Sequence, residues 1–165
     1  MKRRSLLGGA AVLGLGAGCY LLWPSEQRRV LGVLHELLAS LSALPNDTDR
    51  ARASRVRAAL AKLTLPSLSV TIAELGLVEG QPALLELLTQ LDGLRLTVDV
   101  QQAVVRLTSS GAQATLSAAF TATLIGEQRR QVRTLSFDLV RRAEQFLVAQ
   151  ATVSAVSHEQ PEARP

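Results

Sequence analysis

Residues 94–156 alternate apolar and polar side chains over four successive segments, LRLTVDVQQAVVRL, AQATLSAAFTATLI, RRQVRTLSFDLVRR and QFLVAQATVSAV. Period-two runs bounded by turn residues predict four consecutive β-strands. In the first, Leu94, Leu96, Val98 and Val100 share one face, and Arg95, Thr97, Asp99 and Gln101 share the other. After Gln101-Gln102 the apolar parity flips to Ala103, Val105 and Leu107. That is the pattern of a β-bulge, which bends the strand. In the second segment Ala114, Leu116, Ala118, Phe120, Ala122 and Leu124 form the apolar set. In the third, Leu135, Phe137 and Leu139 alternate with Thr134, Ser136 and Asp138. Ser109-Ser110-Gly111, Gly126-Glu127 and Arg141-Arg142-Ala143-Glu144 supply the turns. Hairpin after hairpin predicts an antiparallel, mostly meandering sheet.

Ahead of these strands the period changes to that of a helix. Val30, Leu34, Leu37, Leu41 and Leu44 recur at spacings of three and four, predicting a helix over 25–44 capped by Ser25 and stopped by Pro45-Asn46. A second helix starts at Asp47-Thr48-Asp49 and runs to Leu63, with Ala53, Val56, Leu60 and Leu63 as its buried face. Pro66 ends it, residues 68–72 read as a short strand, and Gly76 to Gly80 as a turn. A third helix covers 80–91, with Pro82 in its first turn and Leu84, Leu87, Leu88 and Leu91 facing the core. The expected class is α+β, a curved antiparallel sheet of four to five strands packed on three helices.

Residues 1–24 belong to neither pattern. No charge interrupts Ser5 to Trp23, and a helix of that length spans about 28 Å, close to a bilayer's hydrocarbon core. Lys2, Arg3 and Arg4 precede it, Tyr20 and Trp23 sit at its far end, and Pro24 stops it. The positive-inside rule then places the rest of the chain outside the cytoplasm, giving a single-pass bacterial inner-membrane protein with its domain in the periplasm. Two alternatives stay open, a cleaved secreted form and a lipoprotein acylated at Cys19. Leu-Gly-Ala-Gly-Cys resembles a lipobox with its Leu one position farther away. The RRSLLGG start is similar to a twin-arginine export signal. Gly14 and Gly18 form a G-x-x-x-G pair that would let two anchors pack closely. Residues 25–156 form the domain, and the polar tail 157–165, with Pro161 and Pro165, is expected to be disordered.

Composition fits one globular domain plus a short attachment: 165 residues, 47% hydrophobic and 19% charged. Removing Lys2, Arg3 and Arg4 from the 18 basic residues leaves 15 against 14 acidic, a net of +1. The excess charge therefore reports membrane topology and not a nucleic-acid-binding surface. One cysteine, Cys19, excludes an intrachain disulfide, and two distant histidines, His35 and His158, disfavour a metal site, so no cofactor is expected. His35 reads as a helix-surface residue. Arg50, Arg52, Arg55, Arg57 and Lys62 make the densest basic cluster, read either as an ordinary solvated helix face or as a docking patch for anionic headgroups or an acidic partner. Asp99 and Asp138 are the only carboxylates inside strands, candidate polar groups of a pocket set between hydroxyl or basic neighbours.

The order of elements resembles the nuclear transport factor 2-like superfamily, over residues 25 to about 156. Two helices lead into SLSVTIAELG, LVEGQPALLELLTQL looks like the helix that comes after that strand in the family, and RQVRTLSFDLVRRAEQFLVAQATVSAV looks like its closing hairpin. Where many members carry a Trp after that hairpin's turn, this chain has Phe146. The resemblance implies a curved sheet wrapped around helices into a cone. Enzymes of the superfamily, isomerases, dehydratases and cyclases, work in the mouth of that cone. An isomerase site of that kind needs a tyrosine and two carboxyl groups, yet no Tyr occurs after Tyr20. Other members are non-catalytic periplasmic domains behind a single membrane helix, as in type IV secretion scaffolds and lipid-import-associated proteins. The expectation is a non-catalytic, membrane-tethered envelope domain that binds a protein partner or forms a homo-oligomer. The alternatives are a lipid or small apolar ligand held in a pocket, and a cyclase or isomerase-type enzyme.

Overall fold

The computed structural model describes residues 25–44, 47–90, 95–124 and 127–155. The segment 1–24, with Gly14, Gly18 and Cys19, lies outside the described residues, as do Leu91, Leu94 and the tail beyond 155. Among those described, no helix is long and apolar enough to cross a membrane.

The chain begins with helix α1 (Ser25–Leu41) and helix α2 (Asp49–Leu63), then strands β1 (Thr64–Ile72) and β2 (Gly76–Glu79) and helix α3 (Gln81–Thr89). Four long strands come next: β3 (Arg95–Leu107), β4 (Gly111–Leu124), β5 (Glu127–Arg142) and β6 (Gln145–Val153). All six form one sheet in the order β2-β1-β6-β5-β4-β3. The class is α+β, with the three described helices on one face.

The sequence expectations need four corrections. The sheet has six strands, not four or five, because Gly76 to Glu79 pairs with β1 as an antiparallel strand and is not a turn. Gly76, the first residue of that strand, and Gly80, just after it, are both at positive φ, which glycine adopts without strain. The sheet is mixed, since β1 runs parallel to β6. Helix α1 ends at Leu41, and Leu44 beyond it is exposed. In α3 the residues packed on the core are Leu84, Leu85 and Leu88.

Other features obey the pattern. The register of β3 against β4 shifts between Val100 and Gln102, the position at which the apolar parity flips. Thr48 caps α2, its side chain accepting from the Ala51 N–H at 3.2 Å. The core lies between the helices and one face of the sheet. Val30, Leu34, Leu60, Leu116 and Val148 are its largest fully buried side chains. Helix α1 and the residues just after it also guard the free edge of β3. Ala43 N donates to Leu96 O at 2.7 Å, Val98 N donates to Ser42 Oγ, and Gln27 Nε2 donates to Val105 O. Both ends of that edge therefore have partners, which limits strand addition there.

Candidate functional site

Three regions carry polar chemistry, and the sheet's alternation decides where each one faces. On the helix-covered face the register runs Ala112–Leu139, Ala114–Phe137 and Leu116–Leu135, all buried, and then Ala118–Arg133 and Phe120–Gln131. Arg133 is thus in phase with the core leucines of its own strand. Its side chain is only 17% exposed and its Nη1 donates to Glu74 Oε2 at 2.8 Å. Nη1 also reaches Ser154 O, and Nη2 donates to Gln131 Oε1. The guanidinium hydrogen bond holds the Glu74 carboxyl below its usual range. Half-buried Val98, Val100 and Phe120 lie in the rows of Gln131 and Arg133 on this face and pack on the core. Sequence reasoning misses Arg133, although its parity with Leu135 is the available signal.

The second region is the basic cluster of α2, which the structure divides. Arg55 turns back to the α1–α2 connection, where its two terminal nitrogens grip both oxygens of Asp47 and Nη2 donates to Ser42 O at 2.9 Å. This fork lowers the Asp47 pKa, and Arg55 is raised in return. Arg52 lies 3.6 Å from Asp49 and Lys62 2.8 Å from Glu36. Arg57 lines a shallow groove of about 480 Å³ with Gln81, Leu85 and Glu86, while Arg50 is exposed. Three of the five cations thus face carboxylates of the same chain, so the cluster is not one free positive patch.

The third region is the opposite face of the sheet, on which none of the three described helices packs. Its residues line up across all six strands. One row reads Val104, Thr115, Ser136, Thr152, Thr71, Leu77 from β3 to β2. The next reads Arg106, Gln113, Asp138, Gln150, Ser69, Glu79. Val104 and Leu77, at opposite ends of the first row, are 58% and 59% exposed. Asp138 accepts from Gln113 Nε2 at 3.0 Å. Asp99 is also exposed on this face, paired across to Ala119 of β4. Both sheet aspartates therefore point away from the interior that Arg133 borders, and the structure does not bring them together with it. His35 is exposed on α1. Among the described residues no group of three or more His, Cys, Asp or Glu gathers to hold a metal.

No family model matches the sequence, and no curated protein is significantly similar to it. Solved structures resemble it in fold. A nuclear transport factor 2-like superfamily protein from Salmonella enterica serovar Typhimurium superposes with a TM-score of 0.66 at 12% identity, covering 86% of this chain and 98% of that one. A type 2 hexachlorocyclohexane dehydrochlorinase gives 0.64 at 10% identity, covering 84% and 93%. A protein from Rhodospirillum rubrum, described as of unknown function in nutrient uptake, gives 0.59 at 16% identity, covering 78% and 98%. Identities this low carry the architecture and not the chemistry. The chain has the nuclear transport factor 2-like, cystatin-like α+β fold.

Proposed function

We propose that this chain is a non-catalytic, membrane-tethered envelope domain that works by protein–protein interaction. The observation that carries the reading is the six-stranded face that no described helix covers, on which a Thr and Ser row stands between exposed Val104 and Leu77 and a Gln, Asp and Ser row between Arg106 and Glu79. The three helices among the described residues are all on the other face. An extended polar surface with an apolar fringe suits a partner that supplies the missing layer. The tether is the uncharged stretch Ser5–Trp23 behind Lys2, Arg3 and Arg4, which would hold the domain outside the cytoplasm. Supporting the non-catalytic part, Asp99 and Asp138 stand on the face opposite the interior, and Glu74 is engaged by Arg133.

The test is to separate membranes from soluble protein, solubilise the membranes gently and weigh the released assembly by native mass spectrometry. The reading predicts membrane retention and a mass above that of one chain. A soluble protein, or an unassociated monomer, would contradict it.

One observation favours a second reading, a lipid or small apolar ligand. Half-buried Val98, Val100 and Phe120 lie on the same sheet face as polar Gln131 and Arg133, an apolar wall with a polar rim. A co-purified lipid in the same spectra, lost on Phe120→Asp, would support it. Its absence from gently prepared protein would remove it.

A further inference from the structure

Three separate segments bring charged groups to the end of the fold where α1 begins. Glu26 Oε1 accepts from Arg141 Nη1 at 2.7 Å, and Arg29 Nη1 donates to Glu144 Oε2 at 3.3 Å. These two pairs hold the first turn of α1 against the β5–β6 turn. Gln27 Nε2 donates to Val105 O, which brings the end of β3 alongside. The β3–β4 and β5–β6 turns lie next to each other, since Gly111 pairs with Val140 and Arg141 N donates to Ser110 O at 2.9 Å. Residues 25–29, 106–111 and 140–145 therefore share one end of the domain. They carry Arg28, Arg29, Arg106, Arg141 and Arg142 against Glu26 and Glu144, a net of +3. Both glutamates are held by arginines of the same set. Asp138, the next carboxylate inward, accepts from Gln113 in the row of Arg106. Leu107, 38% exposed, stands among these turns.

We propose that this end rests on the phosphate groups of an anionic membrane, its arginines binding lipid headgroups while the long strands stand upright from the surface. This rests on the tether in the reading above and adds the orientation that the tether imposes. Pro24 alone separates Trp23, the end of the uncharged stretch, from Ser25, the first residue of α1. Two residues of extended chain reach about 7 Å, less than the screening length of about 10 Å at ordinary salt. The far end of α1, a helix of 17 residues, is about 25 Å away, well beyond that length. Distance therefore favours these arginines over the α2 cluster, whose Arg55 is fixed at the far end by Asp47 and Ser42 O.

All five cations are arginines, whose planar fork matches phosphate oxygens in pairs. Arg28 and Arg29 lie on the exported side of the uncharged stretch, against the positive-inside pattern, and headgroup contact accounts for them. With β3 to β6 ending at the membrane, the sheet face that no described helix covers stands beside it, open to a partner in the same bilayer.

The experiment places a fluorescent amino acid at Ser109, exposed in the β3–β4 turn, or at Ala73, exposed beside the last residue of β6 at the opposite end. The full chain is reconstituted in phosphatidylcholine vesicles, with or without about a third phosphatidylglycerol, and a headgroup-borne nitroxide lipid is the quencher. Flotation with the vesicles reads the tether, and quenching reads the orientation. The expected result is flotation in both compositions, with Ser109 quenched in the anionic vesicles and Ala73 in neither. Salt of about 1 M, which shortens the screening length to about 3 Å, should release Ser109. Arg106→Glu with Arg142→Glu, both at exposed positions, takes this end from +3 to −1, each reversal removing two charges. It should lower the docked-to-free ratio at least about thirtyfold, at about fivefold per arginine, and thermal melts confirm that the variant folds. Ser109 quenched no more than Ala73, quenching indifferent to phosphatidylglycerol, or quenching that survives high salt or the folded double reversal overturns the proposal and leaves the tether intact. A chain left behind when the vesicles float overturns both.

Discussion

Arg133 on β5 and Glu74 in the turn between β1 and β2 are joined at 2.8 Å although 59 residues separate them. The contact ties the two-stranded flap of β1 and β2 to the meander of β3 to β6, beyond where β1 and β6 pair. Its anchor is a guanidinium in phase with buried Leu135 and Phe137, so the arginine reaches its partner along the edge of the core.

That pair makes acid stability informative. Glu74 is held below its ordinary value of 4.5, first by the hydrogen bond from Arg133. A depressed carboxyl contributes stability that is complete above the unfolded value and is lost as pH falls through the folded one. Glu74→Gln should therefore lower the melting temperature at pH 7, with the gap to wild type constant down to about pH 5 and closing below the unfolded value. Thermal melts from pH 7 to 3 check this. A gap that widens on acidification would contradict the geometry.

The β-strand core predicts a larger effect. Leu116 is fully buried, in register between Ala103 and Leu135 and bordered by Ala114 and Ala118, so few large neighbours can move in. Leu116→Ala should cost about 2–5 kcal/mol, read from chemical denaturation. By contrast, Thr115→Ala on the open face should change stability by less than about 0.5 kcal/mol.

Two turn positions should respond in opposite directions. A Cβ at Gly111 would fall onto the Leu139 carbonyl, so Gly111→Ala forces β4 and β5 apart and should destabilise by more than about 1 kcal/mol. Ala143, in the β5–β6 turn, has φ 53°, a region that costs a non-glycine residue about 1–2 kcal/mol. After the entropy of the freer unfolded chain is deducted, Ala143→Gly should stabilise by about 0.5–1 kcal/mol. Denaturation midpoints of the two variants, displaced to opposite sides of wild type, are the check.

How much of the fold and site is legible in the sequence depends on whether the signal is local. The parity flip at Gln101 locates the bulge because alternation is a property of neighbouring residues. The open face and the exposure of Asp99 and Asp138 come from the same alternation. The parallel pairing of Val70 with Ala151 is invisible, since nothing in either segment names a partner some eighty residues away. β2 reads as a turn because Gly76 opens so short a strand and Gly80 follows it directly. Arg133 escapes notice because a charged residue ordinarily faces water, although its phase with Leu135 places it inward. The basic cluster of α2 looks continuous in sequence, but Asp47, Asp49 and Glu36 divide it in space.

The central claim is that the uncovered sheet face is the interaction surface. A photo-crosslinking amino acid at Ser136, in the middle of that face, tests it most directly, with Ala58, exposed on α2, as the comparison. Irradiated in the native membrane, the Ser136 position should give a discrete adduct, of twice the chain mass if the partner is a second copy, and the Ala58 position should give none. Adducts from Ala58 with none from Ser136 would contradict the account.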